Sequence, residues 1–146
     1  MQNHIIINSK ISKFKKKIEV TSDKSLSIRT ILMASQAVGK SKISNLLESE
    51  DVKNTLKTIK KLGIVYKKQK KFYEIYGFGL NGFDIEKKIV IDAGNSGTLA
   101  RIILGLLVKS NFKVKIVGDK SLSKRDFLRV INPLKLFGVN IKSKNG

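Results

Sequence analysis

Gly94-Asn95-Ser96-Gly97-Thr98-Leu99-Ala100-Arg101 is the stretch on which the fold turns. The apolar run Ile89-Val90-Ile91 leads into it, and a second apolar run, residues 99–108, leaves it. That order predicts a strand, a tight turn and a helix. The two glycines let backbone approach a ligand closely, and Thr98 is placed to cap the helix. The N–H groups of a helix's first turn suit an anion. Arg101 lies three residues beyond Thr98, on the same side of the helix. A Gly-x-x-Gly turn alone is as readily structural as functional, so its meaning depends on the rest of the chain.

Working outward, the same pattern occurs earlier. Thr21-Ser22-Asp23-Lys24-Ser25 is a polar turn, and Leu26, Ile31, Leu32 and Met33 begin a helical pattern that runs to about Ala37 and stops at Gly39. This helix is nearly all apolar, which predicts burial between layers. Residues 41–47 are a strand candidate. Ser49 is a good N-cap for a helix over residues 51–63, striped by Val52, Leu56, Ile59 and Leu62 and ended by Gly63. Residues 64–68 and 71–78 predict a hairpin, 79–82 a turn, and 85–92 the strand entering the first motif. Residues 4–8 and 17–20 are β-like.

The helix over residues 28–37 corresponds to that over 100–109, with Arg101 72 positions after Arg29. The helix over 51–63 corresponds to 126–138, and Leu62-Gly63-Ile64 matches Phe137-Gly138-Val139 75 positions on. Each unit runs helix, strand, helix, strand. A period of this length is a duplicated supersecondary unit that cannot bury its faces alone. The class is therefore α/β (α+β), with neighbouring units packing helices on sheets.

Composition limits the function. The 146 residues suffice for a domain core, and 41% hydrophobic content excludes a disordered chain. With no cysteine and one histidine, His4, neither a thiolate metal site nor a histidine triad is expected, and no metal is assigned. A reducing, cytoplasmic compartment is compatible with this. No apolar run reaches spanning length, and Met1-Gln2-Asn3-His4-Ile5-Ile6-Ile7 has neither a basic segment nor a long apolar one, so no membrane partner or signal peptide is expected. Thirty Lys+Arg against 11 Asp+Glu give a net charge of +19, which favours anions. Many of these lysines accord with an AT-rich genome. Nucleic-acid binding calls for aromatics among the basic residues. Only residues 67–76 have them, and their near-alternation fits a lysine-edged strand better.

Three segments together resemble a known family. Asp23-Lys24-Ser25-Leu26-Ser27-Ile28-Arg29 resembles the Lys-Ser-x-Ser-x-Arg segment of 5-enolpyruvylshikimate-3-phosphate synthases. Gly94 to Arg101 resembles their Gly-Asn-[Ala/Ser]-Gly-Thr-x-x-Arg loop. Gly118-Asp119 followed by Lys124-Arg125 resembles their third segment. The connecting stretch Asn45-Leu46-Leu47-Glu48-Ser49-Glu50-Asp51-Val52 matches as well. The segments come in order and at the family's separations across nearly the whole chain.

The resemblance implies transfer of the carboxyvinyl group of phosphoenolpyruvate to the 5-hydroxyl of shikimate 3-phosphate, with release of phosphate. It implies no metal or organic cofactor, small anionic substrates rather than nucleic acid or membrane as partners, and a monomeric full-length form in the cytoplasm. The implied fold is two domains of three βαβαββ-type units each, the inside-out barrel of the enolpyruvyl transferases, with the site between them. Residues 1–20 would supply strands to the lower domain. Residues 21–146 would form part of the upper domain, unit one over about 21–90 and an incomplete unit two over about 91–146.

By resemblance, Lys24, Ser25 and Arg29 bind shikimate 3-phosphate. Lys24, Asn95, Gly97 and Arg125 bind phosphoenolpyruvate, Gly97 through its backbone N–H. Thr98 and Arg101 support them. Fixed cations and backbone donors suit multiply charged anions and a tetrahedral intermediate. A lysine is a compact point charge able to serve a phosphate and a carboxylate together, and an arginine fork suits phosphate. Taken singly, Lys24 and Arg125 are ordinary surface charges and Ser25 an ordinary helix cap; their joint order carries the assignment.

Two departures stand out. Thr21-Ser22 replaces the family's Pro-Gly, and Asp126 replaces the proline after the third-segment arginine. Asp126 either pairs with Arg125 and blunts its pull on phosphate, or serves the helix start. Members of the family are also much longer. Their acid/base carboxylates are expected beyond Gly146, so none is assigned here. The 146 residues are expected to be a truncated product or a partial chain without turnover. UDP-N-acetylglucosamine enolpyruvyl transferases, which show Lys-Asn where this chain has Lys24-Ser25 and carry a cysteine acid, are the nearest alternative. A basic nucleic-acid-binding module is the alternative from another class.

Overall fold

The computed structural model describes residues 20–80, 83 and 88–143, with the single positions 8, 13, 15 and 18. Most of the strand expected over 4–8, half of that over 17–20, half of the turn over 79–82 and most of the start of the strand over 85–92 lie outside the described residues. Ten elements follow in order: α1 (Lys24–Gln36), β1 (Val38–Ser44), α2 (Glu50–Lys61), β2 (Val65–Lys68), β3 (Phe72–Phe78), β4 (Ile89–Asp92), α3 (Gly97–Leu106), β5 (Val114–Val117), a short 3-10 turn (Leu122–Lys124) and α4 (Leu128–Leu136).

The order helix, strand, helix recurs as α1, β1, α2 and as α3, β5, α4, and α1 packs against α3. The two units also end their second helix in the same way. Gly63 (φ 88°) and Gly138 (φ 85°) adopt the left-handed conformation. The following N–H then reaches back five residues, Ile64 to the Ile59 carbonyl (3.0 Å) and Val139 to the Leu134 carbonyl (3.1 Å). This is the glycine-dependent stop that pairs carbonyls of the helix's last turn.

In the first unit β3 is the centre of an antiparallel sheet, order β1-β3-β2, with Ser41 opposite Ile75 and Tyr66 opposite Ile75. Strand alternation turns Ile43, Ile75 and the rings of Tyr66 and Tyr73 towards α1 and α2. Lys40, Lys42, Phe72, Glu74 and Tyr76 lie on the other face. There Lys42 sits 4.0 Å from the Phe72 ring centre and Lys40 pairs with Glu74 at 3.2 Å. The lysine-rich β2 is an edge strand, as its sequence predicts. In the second unit β4 and β5 pair in parallel, Ile89 opposite Val114 and Asp92 opposite Val117, with α3 as the crossover.

Several boundaries differ from the sequence reading. α1 begins at Lys24, because Asp23 caps it: its Oδ1 accepts the Leu26 N–H at 2.7 Å. It ends at Gln36, and Gly39 (φ 82°) lies inside β1 rather than stopping the helix. β1 starts earlier than expected because Val38 pairs with Phe78, and Asn45 (φ 58°) turns the chain out of it. α1 buries one face only, through Ile28, Ile31, Leu32 and Ala34, while Leu26 and Met33 are 62% and 74% exposed. α3 is capped by Ser96, not Thr98: the Ser96 side chain accepts the Leu99 N–H at 3.2 Å and Thr98 falls within the first turn. The last helix starts at Leu128 instead of Asp126, and Pro133, which lacks an N–H, lies inside it.

One contact sets how closely α1 approaches the sheet. A Cβ on Gly77 of β3 would fall 2.3 Å from both the Ala34 and Ala37 carbonyl oxygens. These are backbone atoms and cannot swing away. Gly77→Ala is expected to destabilise the chain by about 1–3 kcal/mol or more through overpacking. Gly105→Ala, on α3 with open space around the added methyl, is expected to stabilise by about 0.5–1 kcal/mol. Chemical denaturation of the two variants beside the parent checks both signs.

Candidate anion site at the helix starts

The parallel pair β4-β5 delivers two loops to one edge, residues 93–96 before α3 and 118–127 before α4. The carboxyl ends of parallel strands are where such folds hold ligands. The loops touch through backbone. Asp119 N–H donates to the Gly94 carbonyl at 2.9 Å, and Ala93 N–H donates to the Val117 carbonyl at 2.8 Å. Gly94 (φ 54°) is pinned from below by Asp92, whose Oδ1 accepts its N–H at 2.8 Å. In the second loop the Asp119 carboxylate accepts the Leu122 N–H at 2.7 Å, shaping the 3-10 turn that presents Arg125.

This geometry gathers Asn95, Gly97, Arg101 and Arg125. A Cβ on Gly97 would lie 2.8 Å from an Nη1 of Arg101 and 2.8 Å from an Nη1 of Arg125, so both guanidiniums flank the first residue of α3. Arg125 donates to the Asn95 Oδ1. Arg101 donates to the Asp126 carbonyl at 3.1 Å, and its guanidinium lies 5.1 Å from the Phe127 ring centre. Among the described residues no acceptor takes the N–H groups of Gly97 and Thr98. Two positive side chains and two unengaged amides at a helix start make an arrangement that attracts an anion. Asp126 does not pair with Arg125. Its Oδ1 accepts the Leu128 N–H at 2.7 Å and so starts α4.

The first unit places Lys24 at the start of α1, where it forms an ion pair with Asp51 of α2, Nζ to Oδ2 2.9 Å. Asp51 and Asn54 stand one turn apart on α2. Asn54 reaches the second unit: its Nδ2 is 2.6 Å from where a Gly94 Cβ would be. Lys24 is thus joined to the Gly94 loop through α2 and not by direct contact. Ser25 is half-buried and Arg29 exposed, and neither forms a hydrogen bond with the arginine pair. The sequence reading left out Ser27, whose Oγ donates to the Asp23 carbonyl (2.6 Å) and accepts the Leu47 N–H (2.9 Å). It also left out Asp51 and Asn54. Ser27 is the second serine of the Lys24-Ser25-Leu26-Ser27-Ile28-Arg29 motif, and it ties down the loop before α2.

That loop, residues 45–49, has a second anchor. Tyr73 Oη and Lys68 Nζ both donate to Glu48 Oε1, at 3.0 and 2.6 Å. Hydrogen bonds from Lys68 and then Tyr73 hold the Glu48 carboxyl below the ordinary glutamate value, and burial raises the Tyr73 phenol. Among the described residues, no group of three or more His, Cys, Asp or Glu could hold a metal, and no helix is long and apolar enough to cross a membrane.

With this geometry in view, comparison with known proteins is specific. A family model described as EPSP synthase (3-phosphoshikimate 1-carboxyvinyltransferase) matches residues 8–146. The chain is 45% identical over 130 residues to a 3-phosphoshikimate 1-carboxyvinyltransferase of Ruthia magnifica subsp. Calyptogena magnifica, covering 88% of this chain and 29% of that one. It is 38% identical over 138 residues to the protein of that name from Syntrophomonas wolfei subsp. wolfei, covering 94% and 32%. Its fold is similar to a solved EPSP synthase from Acinetobacter baumannii, with a TM-score of 0.78 and 34% identity over 91% of this chain and 31% of the other. The chain therefore spans about 30% of the length of the curated relatives it matches.

The two guanidiniums over Gly97 predict how the site responds to one methyl group. Gly97 has no left-handed φ and the atoms in the way are flexible side-chain ends. Gly97→Ala is expected to change stability by less than about 0.5 kcal/mol, as for a substitution without a buried clash. It should nonetheless displace both guanidiniums. NMR of the arginine Nε–H groups should show Arg101 and Arg125 shifted while the melting temperature holds; unmoved resonances would count against the geometry.

Proposed function

The chain belongs to the EPSP synthase family, and on that premise we propose that it is the shikimate 3-phosphate- and phosphoenolpyruvate-binding part of a 3-phosphoshikimate 1-carboxyvinyltransferase. The reaction joins the carboxyvinyl group of phosphoenolpyruvate to the 5-hydroxyl of shikimate 3-phosphate and releases phosphate. The observation that carries the reading is the pair of guanidiniums flanking Gly97 at the start of α3. Arg125 clamps the phosphoenolpyruvate phosphate, with Asn95 setting the plane of its fork. The Gly97 N–H meets the same anion. Lys24 supplies a charge shared by both substrates, and Ser25 and Arg29 bind shikimate 3-phosphate. Arg101 and Thr98 support the helix start.

Fixed cations of this kind act on charge that develops in the transition state, and they do so without reorganising. The general acid and base belong to the rest of the parent enzyme. Residues 21–90 and 91–146 form the first unit and part of the second unit of one domain, and residues 1–20 contribute strands to the other. A monomeric, cytoplasmic parent that binds small anions, and neither nucleic acid nor membrane, completes the reading.

For the 146 residues by themselves the proposal is binding without turnover. Each charge-assisted hydrogen bond contributes about 1.5–3 kcal/mol at best, and an open, hydrated site screens it. Ordering costs several kcal/mol more. Titration with shikimate 3-phosphate at low salt is expected to give millimolar affinity, about −4 kcal/mol. Lys24→Ala should abolish it, and a phosphate-release assay with both substrates should stay at background. Turnover, or micromolar affinity that survives Lys24→Ala, would overturn the assignment.

A further inference from the structure

We propose that Asp51 is a positioning residue for Lys24: its carboxylate holds the lysine ammonium on the α2 side of the site and so prepares it for a polyanion. The proposal rests on the reading of Lys24 as an anion-binding lysine and adds a residue to it.

The geometry separates a fixed partner from a mobile one. The Asp51 side chain is 13% exposed and that of Lys24 52%. Asp51 is the second residue of α2, where the helix dipole favours a negative charge. The start of α2 is anchored several times over. Ser49 caps it by accepting the Val52 N–H, Thr55 Oγ1 donates to the Asp51 carbonyl at 2.8 Å, and Ser27 and Tyr73 fix the preceding loop. The carboxylate is therefore set by the fold. Lys24, in contrast, has a flexible four-carbon stem and takes its direction from what it meets. The 2.9 Å contact selects the rotamers that point Nζ at α2.

That direction leads toward the second unit. Asn54, one turn further along α2, presses on Gly94, so Lys24 is steered to the helix whose next turn abuts the Gly94 loop. An ammonium has three N–H donors. Asp51 occupies one, which leaves two for a ligand. Lysine rotamer freedom is among the largest of any side chain, and a lysine already restrained has less of it to lose on binding. An aspartate that merely competed with the ligand for Lys24 would have the opposite effect on affinity.

The test uses the 146-residue chain, with amide chemical shifts followed during titration by shikimate 3-phosphate at low salt. Asp51→Ala is expected to weaken binding roughly fivefold. Asp51→Asn keeps a carbonyl oxygen within reach of Nζ and should restore affinity to within about twofold of the parent. Both variants remove the charge at the α2 start and should lower the melting temperature alike, so a purely structural role would weaken binding in both. Affinity unchanged or tighter in Asp51→Ala, or no rescue by Asp51→Asn, overturns the proposal. Loss of binding in Lys24→Ala with no change in Asp51→Ala overturns it alone. Unchanged binding in Lys24→Ala overturns the reading of the lysine and the proposal with it.

Discussion

The site depends on one backbone approach, that of Gly118 to Gly94. A Cβ on Gly118 would lie 2.8 Å from the Gly94 oxygen and 2.3 Å from a methyl of Leu122. No other residue type allows the two loops to lie so close. Their contact is sealed by the Asp119 N–H on the Gly94 carbonyl. Because the first loop starts α3 and the second ends in Arg125, this contact fixes a guanidinium over a helix start. Two like charges near one point repel each other. The fold tolerates them because Arg125 is tied to Asn95 and Arg101 to the Asp126 carbonyl and the Phe127 ring. An anion between them would offset the repulsion.

The duplication solves the same problem twice with different chemistry. In the first unit Ser27 joins the start of α1 to the loop before α2, and Lys24 joins the two helix starts through Asp51. In the second unit a backbone contact joins the loops, and Arg101 joins the helix starts through the Asp126 carbonyl. The shared element is a cation at the start of one helix held by the start of the next. α1 and α3 pack against each other and form the seam between units, with Ile28, Ile31, Leu99 and Ile103 among the fully buried side chains. Truncating such a side chain removes roughly 2–5 kcal/mol, and it would loosen both helix starts together.

Much of this was legible in the sequence, where local chemistry decides. The Gly63 and Gly138 stops, the Ser49 cap and the hairpin over β2 and β3 follow from residue type and spacing. The three motifs placed Asn95, Gly97, Arg101 and Arg125 in one family pattern, and the fold brings these four together. What escaped depends on competition between neighbours. Ser96 and Thr98 are both good caps, and only the path of the loop favours Ser96. Gly39 reads as a helix stop, yet pairing of Val38 with Phe78 places it in a strand. Asp126 could have paired with Arg125, but an unpaired N–H at Leu128 lay nearer. Asn54 carries no motif at all, because its importance comes from Gly94, forty positions away.

The net charge of +19 does not by itself explain the site. Exposed lysines scattered over a surface raise the local concentration of any anion, and salt screens them within about 8–10 Å. They do not distinguish phosphate from carboxylate or one sugar acid from another. Several are also locally engaged, Lys40 with Glu74 and Lys68 with Glu48. Selectivity needs donors whose positions are set before the ligand arrives. The donors whose positions the fold sets near Gly97 are the amides at the start of α3 and the guanidinium of Arg125, held by Asn95. Lys24 has charge but no rigidity of its own. Any fixed direction for it therefore has to come from a neighbour, and the less exposed side of the Lys24–Asp51 pair is the aspartate.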